Sequence, residues 1–418
     1  MNDMRSFPRL HWFLPTTGDG RTLVGGGHSV PKGIGVPTAH DGTAGRFRPP
    51  RIDYLAQVAR AAEGLGFEAV LTPTGTWCED AWLTTAALLT QTRTLKFLVA
   101  FRPGLLSPTL AAQMAATYQR VSGGRLLLNV VTGGEAAEQA RFGDHVSHDE
   151  RYARTAEFLS IVRGAWSGTP YDFTGAHYQV TGATVSTPPD PVPEIYFGGS
   201  SSAAGPVAAR HTDVYLTWGE PPDQVAAKLA WIRALAEREG RRVRFGIRLH
   251  VITRDTSEQA WGVAQRMLDE LNPDAVVRAQ EALTRSESEG QRRMRSLHEG
   301  FWTADGRGRR PRARDLEVSP GLWAGVGLVR GGAGTALVGS HREVAALIEE
   351  YRALGIEEFI LSGYPHLEEA YWFGEGVHPL LHRPATAPVA PTTGGADGAG
   401  GEPSGRAADD TAARVGAS

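Results

Sequence analysis

Cysteine is almost missing from this chain: Cys78 stands alone among 418 residues. An intrachain disulfide is therefore excluded, and such thiol usage suits a reducing compartment. Charge of one sign is missing too. Lys and Arg number 43 against 46 Asp and Glu, a formal net of −3, so nothing argues for nucleic acid or an anionic membrane as partner. The apolar runs are about strand length, short of the ~20 residues a membrane helix requires. The opening MNDMRSFPRLHWFLP has no apolar core ahead of a small-residue cleavage site. A cytoplasmic protein is expected. No repeat period argues for a solenoid or propeller, no GxSxG for a serine hydrolase and no HExxH for a zinc protease. The histidines of DHVSHDE, His145 and His148, sit in a polar loop, and no metal is expected.

What is present is alternation. Strands are expected at 9–16, 68–74, 95–101, 125–132, 194–199, 213–218, 244–253 and 357–363. Helices are expected at 51–65, 79–92, 108–122, 149–166, 202–210, 222–239, 256–270 and 367–376. Over 51–65, Ile52, Leu55, Val58, Ala59 and Ala62 fall on one helical stripe. The strands read as nearly continuous apolar runs, as parallel strands covered on both faces do. Eight such pairs predict an α/β fold, a (β/α)₈ TIM barrel over 9–382. A short hairpin is expected within 171–190. A long insertion after the seventh strand, 271–335, is expected to act as a lid, with a basic Gly/Arg stretch at 305–314. Residues 24–50 read as a flexible insertion and 383–418 as a disordered Pro/Ala/Gly/Thr tail.

In a barrel the strand ends and following loops build the site. The polar residues there include Asn129 and Thr132 after the fourth strand, Gly199, Ser200 and Ser201 after the fifth, Trp218 at the end of the sixth and Tyr364 after the eighth. YFGGSSSAAG reads either as an anion site, with Ser200 or Ser201 capping the next helix, or as an ordinary strand-to-helix turn. GVGLVRGGAGT at 325–335 is Gly-rich, but it lacks the strand–turn–helix order of a dinucleotide site. In FGIRLHVITR, alternation puts Arg248 and His250 on one face of a buried strand. Such a pair meets either an anionic ligand or a structural carboxylate. Cys78 reads as a small buried hydrophobe or as a thiol whose pKa the following helix lowers.

FLPTTGDG, TWCEDAWL, FLVAFRPGLLSPT, NVVTGG, YFGGSS, YLTWGEPP, FGIRLHVI, GLWAGVGLVRGGAGTALVG and LSGYPHLEEAY, in this order over roughly 9–382, resemble the FMNH₂-dependent alkanesulfonate monooxygenases of the bacterial luciferase-like flavin superfamily. The resemblance implies a TIM barrel that converts an alkanesulfonate, reduced FMN and O₂ to an aldehyde, sulfite, FMN and water, for sulfur acquisition. It implies a separate NAD(P)H-dependent FMN reductase and a homo-oligomer, commonly a homotetramer. Carried across, Cys78 matches a cysteine associated with flavin binding and its reaction with oxygen. Arg248 and His250 match a catalytic strand pair. Arg330 matches the arginine of the mobile insertion, Tyr364 the tyrosine of SGYPH and Trp218 an active-site tryptophan. Thr132, Tyr152, Ser200 and Ser201, with Asn129 and Gly199, take the positions of flavin and its phosphate. Thr17 stands where the family motif has histidine, and VGGGHSVPKG departs from the acidic residues some relatives carry there. Both departures touch the substrate side. They leave methanesulfonate, dimethyl sulfone or another small organosulfur compound as the alternative substrate.

Overall fold

The structure is a computed structural model in which residues 7–23, 47–301 and 312–381 are described. Eight parallel strands form its centre: β1 (Arg9–Phe13), β2 (Ala69–Thr72), β3 (Lys96–Phe101), β4 (Leu126–Val130), β5 (Ile195–Gly198), β6 (Val214–Trp218), β7 (Arg244–Arg254) and β8 (Glu358–Ser362). Each pairs with the next and β8 pairs with β1, so the sheet closes into the expected barrel. All eight strands and the eight helices following the sequence pattern are found, with ends moved by a few residues. Ile52 departs from its predicted stripe and is exposed, while Leu55, Val58, Ala59 and Ala62 are buried.

The strand pattern has a direct packing reason. Along β7, Ile247, Leu249 and Val251 point outward into the core shared with the helices. The alternate residues point inward. Phe13, Leu71, Leu98, Leu127, Tyr196, Val214 and Ile360 make an apolar plug across the barrel interior. Beneath the plug, buried Glu358 accepts the Tyr196 phenol at 2.8 Å and pairs with His11 at 3.1 Å and Arg244 at 2.8 Å. Each oxygen of this buried carboxylate thus meets a compensating group. The helix ends are locally encoded. Ser107 caps Pro108–Ser122 through the Leu110 N–H, and Gly123, at φ 69°, ends it in the left-handed region.

The hairpin before β5 is present as Tyr171–Thr174 paired with Gln179–Ala183. The insertion after β7 carries helices Pro273–Thr284 and Glu289–Ser296 and a hairpin, Glu317–Ser319 with Leu322–Trp323. Two elements have no counterpart in the sequence pattern: a strand, Ala336–Ser340, and a helix, His341–Leu354. The strand runs parallel to the long C-terminal end of β7, with Ala336 opposite His250. Phe47–Arg48, within the segment expected to be flexible, pairs with Asp19–Gly20. The rest of that segment, 24–46, residues 305–311 of the basic stretch, and the tail 383–418 lie outside the described residues. Among the described residues no helix is long and apolar enough to cross a membrane.

Candidate active site

A partly open cavity of about 210 Å³ sits at the C-terminal ends of the strands. Its floor is the top of the apolar plug, where Phe13, Leu71, Leu216 and Ile360 face it. Its walls come from two opposite sides of the barrel. The β4 and β5 ends contribute Asn129, Thr132, Gly199 and Ser200, and the helix His148–Ala165 adds His148 and Tyr152. Across the barrel, β7 contributes Arg248 and the insertion contributes Arg330 to Ala333. Trp218 and Trp77 line it as well, and Glu135 is the carboxylate on its wall.

The arginine side is strongly cationic. Arg248 is 7% exposed. Its Nη1 donates to the Leu249 and Ile360 carbonyls at 2.6 and 3.4 Å, and its Nη2 to Ser362 Oγ at 2.8 Å. All three acceptors are neutral, and Arg248 makes no ion pair among the described residues, so the structural salt bridge that the sequence left open is not the explanation of this residue. The guanidinium lies 4.9 Å from the Phe13 ring centre, and that of Arg330 lies 5.3 Å from the same ring. Cation–π contact offsets part of the burial, by about 0.5–2 kcal/mol each. Burial, with Arg330 alongside, pushes the Arg248 guanidinium down to about 9. Arg330 also donates to the Tyr364 phenol.

His250 lies one layer behind. It is 1% exposed and does not reach the cavity wall, contrary to the expectation that it faces the barrel mouth beside Arg248. Its ring stacks on Tyr364 with centroids 5.5 Å apart. Burial, together with Arg248, holds its pKa well below the ordinary histidine value. A neutral imidazole has one N–H. Nε2 faces the Ala333 carbonyl at 3.2 Å, so the hydrogen sits there, and Nδ1 accepts from Ser362 Oγ at 2.7 Å.

The hydroxyl side is built differently. Gly199 has no room for a side chain: a Cβ would stand 2.6 Å from the Ala204 Cβ and 3.2 Å from the Tyr152 hydroxyl. The buried Thr132 Oγ1 and Ser201 Oγ make no well-formed hydrogen bond, though both approach the Tyr152 phenol. The helix Ala204–His211 starts with Ala203 at its N-cap and no side-chain cap, so neither serine has the expected capping role. Ser201 is not on the cavity wall, whereas Ser200 is.

Over 9–358, most of this barrel, the chain matches the family described as luciferase-like monooxygenase. The chain belongs to that family. Its fold is shared by a solved riboflavin lyase, RcaE, with modified FMN and substrate riboflavin, at TM-score 0.69 and 20% identity over 90% of this chain and 91% of that one. The long-chain alkane monooxygenase LadA gives 0.68 and 18% over 90% and 92%. An F420-dependent secondary alcohol dehydrogenase, in complex with an F420–acetone adduct, gives 0.61 and 17% over 90% and 100%. At such identities the likeness speaks for the barrel and not for the substrate.

In this luciferase-like chain the cavity brings together Arg248, Arg330, Trp218, Asn129, Thr132, Tyr152, Gly199 and Ser200. Tyr364 joins them through Arg330. Cys78 stands apart. Its thiol donates to the Pro73 and Gly75 carbonyls at 3.7 and 3.6 Å, and its neighbour Trp77 takes the place on the wall. Burial pushes the thiol up to about 12, against the helix-lowered value considered from sequence, so Cys78 is neutral at physiological pH. Sequence reasoning missed Phe13, His148 and the insertion residues Ser288, Gly290 and Gln291, all on the wall. Gly290 lies flat on Trp218, where a Cβ would meet the indole at 3.0 Å. Gln291 Oε1 accepts the Gly332 N–H at 2.8 Å, tying the helix Glu289–Ser296 to the Arg330 loop.

Proposed function

We propose that the chain is a two-component monooxygenase that uses reduced FMN and O₂ to desulfonate an alkanesulfonate, releasing aldehyde and sulfite. The observation that carries this reading is the pair Arg248 and Arg330. Two guanidiniums share one aromatic ring, face one cavity, and have no ion-pair partner among the described residues. An alkanesulfonate brings one negative charge and three acceptor oxygens to that place, and an arginine fork matches such a group. A neutral alkane, the substrate class in the name of LadA, would leave both cations uncompensated.

The opposite wall fits a flavin phosphate. Gly199 and Ser200 bring backbone to the cavity, Thr132 holds a buried hydroxyl there without a good partner, Ser201 holds another just behind the wall, and the helix Ala204–His211 has no side-chain cap. Thr132, Tyr152, Ser200 and Asn129 would hold the cofactor on that side. Reduced FMN, when bound, supplies the electrons that activate O₂, and a separate NAD(P)H-dependent reductase supplies it. Arg248 and Arg330 orient the sulfonate. Arg330 donates to Tyr364 Oη, which leaves the phenol's own hydrogen available for transfer from that atom. Movement of the insertion over the partly open cavity would exclude water during turnover. His250 and the neutral Cys78 support the site from behind its walls.

The test supplies FMN, a flavin reductase and NADPH in air, and measures sulfite across the series from methanesulfonate to decanesulfonate. Sulfite release with at least one chain length is expected. Release from none, with turnover of a sulfone instead, would retire the sulfonate reading in favour of another small organosulfur substrate.

A further inference from the structure

Ser362 is fully buried at the end of β8, directly across the ladder from His250. Its hydroxyl joins two groups that do not otherwise meet. It accepts from Arg248 Nη2 at 2.8 Å, so its own hydrogen goes to His250 Nδ1 at 2.7 Å. His250 in turn donates from Nε2 to the Ala333 carbonyl, in the glycine-rich loop that carries Arg330. The chain Arg248–Ser362–His250–Ala333 therefore runs from the cavity wall to the loop that covers it. Each link has a fixed direction: the guanidinium only donates, the carbonyl only accepts, and the neutral imidazole does one of each.

We propose that Ser362 is a positioning residue that, through the Nε2–H form of His250 set by the Ala333 carbonyl, couples the seating of the Arg330 loop to the orientation of Arg248. With the loop seated, the Ala333 carbonyl takes the His250 hydrogen and the Ser362 hydroxyl holds the guanidinium edge. With the loop withdrawn, His250 loses its acceptor and Arg248 loses a reason to keep its present rotamer. The groups that face His250 set the pH range of this chain. Arg248, Arg330 and His366 all oppose a positive charge on His250, and the Tyr364 ring covers its face. The hydrogen-bond chain therefore holds through neutral pH.

The experiment compares wild type with Ser362→Ala and Ser362→Thr in the full chain. Histidine ¹⁵N spectra, with His250 assigned through a His250→Gln variant, report the hydrogen bond at Nδ1. The Nδ1 resonance of a hydrogen-bonded acceptor is expected in wild type and Ser362→Thr, and one moved downfield, as for an unbonded ring nitrogen, in Ser362→Ala. Sulfite turnover in Ser362→Ala is expected to fall in kcat by about 10- to 100-fold, with KM and FMN binding little changed, and to return in Ser362→Thr. A role in packing alone would move neither the Nδ1 resonance nor kcat apart from KM. An unchanged Nδ1 resonance in Ser362→Ala, or wild-type kcat beside a shifted one, overturns the proposal. The kcat comparison rests on the sulfonate reading, but the spectra need no substrate. A wild type that releases no sulfite, beside a Ser362→Ala variant whose Nδ1 resonance moves, refutes that reading and leaves the hydrogen-bond chain standing.

Discussion

Arg248 is a buried cation that the folded state holds at a cost. Its folded value, about 9, lies below the ordinary 12.5. The folded chain thus binds this proton less tightly than the unfolded chain does. The cost is fully present below about pH 9 and fades as pH rises toward the ordinary value. Arg248→Met removes the charge while keeping bulk over Phe13. The expected outcome is a melting temperature that holds or rises by a few degrees, together with a loss of turnover of at least ~100-fold. Calorimetry and sulfite release measure the two. A clear fall in melting temperature would make Arg248 structural. In the wild type, kcat/KM is expected to fall as pH rises through about 9, because the free enzyme then loses the Arg248 proton. At this scale the sequence was legible where alternation sufficed. A cation on a buried strand face marks Arg248 without any structure. Ser362 carries no such mark, because its meaning comes from lying opposite His250 on a strand more than a hundred residues away. Of the two readings of Cys78, the structure favours the small neutral side chain over the helix-lowered thiol, for the same reason. Proximity to a helix start is local, but the desolvation that dominates its thiol is not.

The insertion after β7 packs apolar side chains against the helix Ser257–Asp269, and one of its fastenings to the barrel mouth is electrostatic. Glu220, just past β6, is fully buried and takes both Nε and Nη2 of Arg293, at 2.9 and 2.6 Å, and Lys228 Nζ at 2.7 Å. Burial alone would raise the carboxyl, but Arg293 and Lys228 hold it below the usual range. Lys228 belongs to the barrel helix Pro222–Arg238 and Arg293 to the insertion helix Glu289–Ser296. If the insertion lifts, Glu220 keeps one partner, which makes opening affordable where an unpaired buried carboxylate would forbid it. Arg293→Gln is expected to speed hydrogen exchange in the amides of Glu289–Ser296 by about tenfold or more while leaving the barrel strands protected. Unchanged protection there would show that apolar packing, not this pair, seats the insertion. The strand Ala336–Ser340 and helix His341–Leu354 escaped the sequence pattern, although their punctuation was present. Ser340 and Glu343 form a capping box, and Gly355 ends the helix at φ 109°. The strand follows a glycine-rich run and, at five residues, is too short for its apolar pattern to distinguish it.

The whole molecule separates stability from chemistry along the barrel axis. At the N-terminal end the buried Glu358 is matched by His11, Arg244 and Tyr196. At the C-terminal end, beyond the apolar plug, Arg248 and Arg330 have no such match among the described residues. Eight strand–helix alternations made the barrel readable, since parallel strands need a crossover helix and bury both faces. Its closure, β6 on β7 and β8 on β1, is a matter of long-range register that no local pattern displays. The same holds for the cavity, whose two walls come from opposite sides of the closed sheet. The central claim is that the uncompensated cations select an anion. The most direct test compares kcat/KM for an alkanesulfonate and for the neutral methyl sulfone of the same alkyl chain, under identical supply of reduced FMN and O₂. The account predicts preference for the sulfonate by at least ~100-fold, since the sulfone leaves both arginines uncompensated; equal turnover, or preference for the sulfone, would contradict it.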